Sequence, residues 1–264
     1  MHDMSIMRSV VKGIRHPKKA VTVMNRKLLA HVRHDKFRRF IVLSRSRTGS
    51  NLLVSLLNSH PNIHAEAEIF LRLNGRNYQD ILTKAFARQP LYVKAKGFKL
   101  FYYHPLDDKS SGIWNALASL DDLYVIHLKR RNILRTLISR KIAGIQGVWA
   151  VTSTEQHSAA DKKDIAVTFT ADELLEGFKQ TRRWEQAGEN IFRNHPLISI
   201  DYEDLVDYRE LTFYKVTEFL DVRYKQPKTK LKKQNTKSLR ETVTNYEELK
   251  SAFLETEWQS FFDE

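Results

Sequence analysis

The sequence predicts an α/β protein built on a central parallel sheet flanked by helices. Two stretches carry that expectation. Phe40-Ile41-Val42-Leu43 is a short, β-branched apolar run; a polar turn follows, and then Leu52, Leu53, Leu56 and Leu57 at helical spacing. Leu123-Tyr124-Val125-Ile126-His127-Leu128 repeats the arrangement, with the turn Lys129-Arg130-Arg131-Asn132 and a helix from Ile133 to Ala143 that should stop at Gly144. Strand, turn and helix repeated in this way are the pattern of parallel strands joined by crossover helices.

Length and composition bound what such a sheet can be part of. At 264 residues and 42% hydrophobic content the chain can bury a substantial core. We read residues 1–39 as a basic N-terminal extension and 40–264 as a single domain. The absence of cysteine excludes disulfides, thiolate metal sites and cysteine nucleophiles. No apolar run approaches the roughly 18 residues needed to span a bilayer. The N-terminus also lacks the apolar core of a secretory signal, so a cytoplasmic location is expected. The net charge of +13 favours an anionic ligand, a polyanion or an anionic membrane surface. The extension sets many Lys and Arg, with apolar residues between them, against only Asp3 and Asp35. It reads either as a segment making peripheral membrane contact or as a solvated arm.

The first turn, Ser44-Arg45-Ser46-Arg47-Thr48-Gly49-Ser50-Asn51, is the most informative stretch. A small, hydroxyl-rich turn between strand and helix presents backbone N–H groups and a helix N-terminus to an anion. Gly49 lets the backbone approach closely, Thr48, Ser50 and Asn51 add side-chain donors, and Arg47 adds charge. A phosphate-type group is the expected guest. This is not a Walker A loop, which needs a second Gly and a Lys before the final hydroxyl.

Asn58-Ser59-His60-Pro61 ends the first helix. His64-Ala65-Glu66-Ala67-Glu68-Ile69-Phe70 then places two carboxylates two residues apart; they share a face if extended and diverge if helical. Residues 71–90 are polar, with a helix around Tyr78–Phe86. Tyr92 to Phe101 alternates lysine with small or apolar residues, which suggests a strand with one basic face, ended by His104-Pro105. Residues 145–169 read as a long loop. Thr170-Ala171-Asp172-Glu173 is a capping box opening a helix to about Glu189. Leu197–Ile200 is a short strand, and a helix covers roughly Glu210–Leu220. From Arg223 to Arg240 the chain is basic without a carboxylate.

A parallel sheet binds ligands at the carboxyl ends of its strands, so the two cationic turns can face one cleft. No GxGxxG is present, which disfavours a dinucleotide. An adenosine with anionic groups at both 3′ and 5′ fits such a cleft.

Those residues carry a family resemblance. Ser44–Leu53 (SRSRTGSNLL) resembles the 5′-phosphosulfate loop of the sulfotransferases. Val125–Ser139 (VIHLKRRNILRTLIS) resembles their 3′-phosphate motif, an Arg at a strand end and a Ser nine residues on. Further echoes at 64–70, 96–104, 198–205 and 232–249 follow in order, and the whole is similar to the bacterial carbohydrate sulfotransferases of the NodH and trehalose type.

The resemblance implies a P-loop-like sulfotransferase fold and the donor 3′-phosphoadenosine 5′-phosphosulfate (PAPS), released as 3′-phosphoadenosine 5′-phosphate (PAP). It implies that Arg47, Thr48, Gly49, Ser50 and Asn51 hold the 5′ end and that Arg130 and Ser139 hold the 3′-phosphate. Lys233 and Asn235 would lie in the C-terminal cofactor loop, where the match is looser. The acceptor would be a hydroxyl, on a glycan or glycolipid. Its proton needs a base, and the departing oxygen needs a cation; Arg47 suits the second role. In the bacterial carbohydrate enzymes the base is a Glu just before an aromatic-containing pair, here Glu68, with Glu66 as the second candidate. The small-molecule sulfotransferases use a His on the strand near 96–104, where this chain has Lys99 and His104. No His pair has metal spacing, and no metal is expected.

Two other readings compete. A P-loop-like kinase would need the missing lysine and a Mg²⁺-binding Asp, for which Asp201 is the one weak candidate. A basic nucleic-acid-binding protein would account for the charge, but no recognised module is present, so no nucleic-acid partner is expected.

Overall fold

The computed structural model describes residues 32–110, 112–147, 165–229, 231 and 237–263. Five strands form the central sheet: β1 (Arg38–Ser44), β2 (Ile63–Glu66), β3 (Ala95–Phe101), β4 (Leu123–Lys129) and β5 (Leu197–Asp201). Their order is β2-β3-β1-β4-β5, and every neighbouring pair is parallel. The helices are α1 (Ser50–Ser59), α2 (Tyr78–Ala85), α3 (Gly112–Ala118), α4 (Ile133–Gln146), α5 (Ala171–Ile191), α6 (Tyr202–Asp207), α7 (Arg209–Phe219), α8 (Leu239–Thr242) and α9 (Tyr246–Ala252), with a final 3₁₀ turn at Gln259–Phe262.

β1 is central because both its faces are apolar. Phe40 and Val42 pack with Leu53, Leu56 and Leu57 of α1 and with Phe213 and Val216 of α7. Ile41 and Leu43 point the other way, into Phe70, Phe98, Leu100, Ile113, Leu117 and Phe192. This period-2 alternation buries the strand on two sides, as a parallel sheet covered by helices requires. A third cluster joins α4 and α5 to the C-terminal segment through Ile133, Leu134, Phe178, Phe253, Trp258 and Phe262. At Gly97, opposite Phe40 in the register, a Cβ would lie 2.1 Å from the Phe40 carbonyl oxygen, so glycine is what lets β3 lie against β1.

Several expectations change. The helix after β4 runs through Gly144 to Gln146 and ends on Gly147, whose φ of 68° is the left-handed cap. An interior glycine costs a helix only about 1 kcal/mol, so Gly144 does not stop it. β3 has no single basic face: Lys96 and Lys99 are an odd number of residues apart, leave opposite sides of the strand, and are both buried beside a carboxylate. Residues 32–39, assigned from the sequence to the extension, take part in the fold: Arg33–His34 pairs with Gln89–Pro90, Phe37 is buried, and β1 begins at Arg38. Residues 1–31, and 148–164 of the long loop, lie outside the described residues. Among the described residues no helix is long and apolar enough to cross a membrane.

Candidate active site

Because β1 and β4 are parallel neighbours, the turns that leave their C-terminal ends emerge side by side. They are bonded to each other: Arg47 Nε donates to Ser139 Oγ at 2.9 Å, and Arg130 Nη1 donates to the Arg47 carbonyl at 3.2 Å. Together they line a cavity of about 900 Å³, to which Arg47, Gly49, Ser50, Asn51, Arg130 and Ser139 all contribute. Burial lowers the pKa of both Arg47 and Arg130 from the usual guanidinium range, the mark of positive charge held away from water. Arg130 Nε is buried without a hydrogen bond among the described residues; the Glu203 carboxylate stands 3.9 Å from it.

Gly49 is the N-cap of α1, at φ 92°, and no side chain caps the helix start. The first-turn N–H groups are therefore not taken by a side-chain cap. A Cβ on Gly49 would stand 2.2 Å from the Tyr202 ring, so the loop can lie on that ring only as glycine. The Arg130 guanidinium sits 4.7 Å from the centre of the same ring. Thr48 faces inward and donates its hydroxyl to the Arg45 carbonyl; it does not line the cavity. Its side chain shapes the turn, because a buried hydroxyl satisfies itself on the nearest carbonyl.

The opposite wall comes from β2 and β3. Glu68 Oε1 lies 2.8 Å from Lys99 Nζ, and Lys99 also donates to Asn51 Oδ1 at 2.6 Å. This links the carboxylate through one buried lysine to the first turn of α1. Glu66 goes elsewhere: it pairs with Lys96 at 3.0 Å and does not line the cavity. The two carboxylates separate because β2 ends at Glu66 and the chain turns, the Leu71 N–H donating to the Glu68 carbonyl. His104 is buried outside the cavity lining; its Nδ1 accepts from the Phe101 N–H, and burial lowers its pKa to about 4. Asp201 is engaged by Arg131 at 2.9 Å. Lys233 and Asn235 lie outside the described residues.

Some of the lining is not foreseen from sequence. Tyr202, directly after β5, obeys the same strand-end rule as the two turns and was accessible to it. Arg135, Arg140, Arg72, Tyr103 and Trp184 also line the cavity. They lie on helices and loops whose approach depends on strand order, and no local pattern marks them. Arg45 is a further surprise. It is 3% exposed, donates to Thr181 Oγ1 and lies 5.6 Å from the Trp184 ring, with its pKa lowered to about 10, by burial first and then by Arg140. Beside it His127 bonds the Tyr102 hydroxyl through Nε2 at 2.6 Å, and burial lowers its pKa to about 4.

This architecture has counterparts. Nodulation protein H of Rhizobium tropici is 28% identical over 244 residues, spanning 85% of this chain and 92% of that protein. Nodulation protein H of Rhizobium meliloti (strain 1021) is 26% identical over 240 residues, spanning 85% and 94%. A sulfotransferase structure from Alicyclobacillus acidocaldarius superposes with a TM-score of 0.52 at 14% identity over 81% of this chain and 90% of that one, which establishes a shared fold. No family model matches the chain. The relatives and the shared fold together support an enzyme of the sulfotransferase kind. In sequence the chain is similar to the nodulation protein H proteins over most of its length.

Proposed function

We propose that this enzyme transfers a sulfuryl group from PAPS to an acceptor hydroxyl on a carbohydrate or glycolipid. The observation that carries this reading is the joining of two cationic strand-end turns in one cavity, with a carboxylate on the facing wall. When bound, PAPS supplies the sulfuryl group from its 5′-phosphosulfate. The residues suit a doubly anionic adenosine: a glycine-cradled helix start lies on one side and the buried Arg130, its Nε without a hydrogen bond among the described residues, on the other.

In this reading Arg47, Gly49, Ser50 and Asn51 hold the 5′ end through the turn that Thr48 shapes, and Arg130 and Ser139 hold the 3′-phosphate. Lys233 and Asn235 belong to the same cofactor set. Glu68 takes the proton from the acceptor oxygen as that oxygen attacks, the work of a general base. Arg47 and Lys99 place positive charge where the bridging oxygen departs. Lys99, tied to both Glu68 and Asn51, also sets the distance between base and donor loop. The basic, apolar-studded residues before 32 would bring the enzyme to an anionic membrane surface carrying a glycolipid acceptor.

Calorimetric titration tests the donor site directly. PAP should bind tightly, while ATP with Mg²⁺ and single-stranded DNA should not. Tight ATP–Mg²⁺ binding without PAP binding would overturn the proposal in favour of phosphoryl transfer.

A further inference from the structure

The cavity is larger and more cationic than a donor site alone explains, and part of the surplus lies on the side away from the donor turns. The donor turns rise from β1 and β4. The opposite half is built on the ends of β2 and β3, which supply Glu68, Leu71, Arg72, Lys99, Phe101, Tyr103 and Leu106, with Arg140 of α4 and Trp184 of α5 closing it. Strand order accounts for this division, because β3 and β2 lie together on one side of β1.

Two features define that half. The first is aromatic: Tyr103 and Trp184 have ring centres 5.4 Å apart, and Phe101 lies 5.7 Å from Tyr103. Flat rings of this kind, half-buried in a cavity wall, suit the C–H face of a sugar. The second is charge. Among the described residues, seven cationic side chains line the cavity (Arg47, Arg72, Lys99, Arg130, Arg135, Arg140 and Arg209) against one carboxylate, Glu68. Lys99 is matched by Glu68, and Arg47 and Arg130 belong to the donor turns. Arg72 and Arg140 are exposed and make no ion pair among the described residues, the guanidinium of Arg140 resting 5.9 Å from the Tyr103 ring centre. Tyr103 in turn accepts the Ser46 N–H through its hydroxyl at 3.2 Å, so Arg140 stands where the donor loop meets the acceptor half.

We infer that the acceptor is an acidic sugar, one that already carries a fixed anionic group such as a carboxylate or a phosphate ester. Its ring stacks against Tyr103 and Trp184, and Arg140 and Arg72 bind its charge. Arginine is the side chain suited to this, because its planar fork meets a carboxylate or phosphate with two parallel bonds. The anion fixes the ring, and one hydroxyl of that ring is presented to Glu68. The inference rests on the sulfuryl-transfer reading and adds to it the class of acceptor.

The test uses the full-length enzyme with PAPS and three acceptors of matched length: a neutral oligosaccharide, a uronate-containing one and a phosphorylated one. PAP release gives kcat and KM for each. One or both anionic acceptors should exceed the neutral one in kcat/KM by about tenfold or more, the worth of one charge-assisted bond, and which of them does so identifies the anion. Arg140→Gln should remove most of that advantage by raising KM for the anionic acceptor, with PAP affinity unchanged; Arg72→Gln should act in the same direction. A neutral acceptor used equally well or better would overturn the inference. So would Arg140→Gln weakening PAP, which would move Arg140 to the donor half. If wild-type enzyme bound no PAP, the donor reading would fail and this inference with it; if PAP bound and anionic acceptors gained nothing, only the acidic-sugar inference would fail.

Discussion

Glu68 and Glu66 show how far two neighbouring carboxylates can diverge. Both are ion-paired to a buried lysine of the same strand, yet only Glu68 lines the cavity. Glu68→Gln should therefore lower turnover by about 10²–10⁴-fold, the usual worth of a general base, while PAP binding stays intact. Glu66→Gln should leave turnover within a few-fold. Steady-state assays with calorimetry on both variants check this, and full turnover in the Glu68→Gln enzyme would assign the proton to another group. The pair was visible in the sequence as two candidates. What separated them was a turn at Glu68, and nothing in the alternation of residues 64–70 announces where an extended run ends.

The turn between β1 and α1 depends on Gly49 for two separate reasons, its positive φ and its contact with Tyr202. Gly75 shares only the first: its φ is 76°, but a Cβ there meets nothing within 4 Å. Gly75→Ala should then cost on the order of 1 kcal/mol for backbone strain alone. Gly49→Ala should cost more and should weaken PAP binding by about tenfold or more, because Tyr202 must move and Arg130 rests on it. Thermal melts and PAP titrations compare the two. Equal losses of stability, with PAP affinity kept, would sink the packing argument. The need for glycine in this turn was legible from its setting between strand and helix; the aromatic floor beneath it was not, since Tyr202 lies some 150 residues further along the chain.

Across the molecule, buried histidines make stability depend on pH: burial lowers the pKa of His60, and lowers those of His104 and His127 further. His104 and His127 both have pKa values lowered to about 4, mainly by burial. In the unfolded chain each takes up a proton below its ordinary pKa of about 6.5, whereas the folded chain takes it up only near 4. The unfolded state thus binds more protons in between. The stability these groups contribute is whole above pH ~6.5 and is lost progressively as pH falls through about 4. Each can add a slope of up to about 1.4 kcal/mol per pH unit across that window. Urea unfolding at several pH values from 7.5 to 4 should show the decline, and His127→Gln should flatten it. A variant as steep as wild type would remove His127 from the account.

Local pattern alone sufficed for the two strand–turn–helix units and for their cationic turns. Such features depend on periodicity, turn chemistry and helix starts within about fifteen residues, and sequence records these directly. The order β2-β3-β1-β4-β5 does not follow from any of them. That order put Arg47 beside Ser139, gave Glu68 and Lys99 the facing wall, and gathered Arg72, Tyr103, Arg140 and Trp184 into a second half. Strand pairing and the packing of distant helices are set by the burial of whole faces, so the residues that share a cavity are known only once the sheet is assembled.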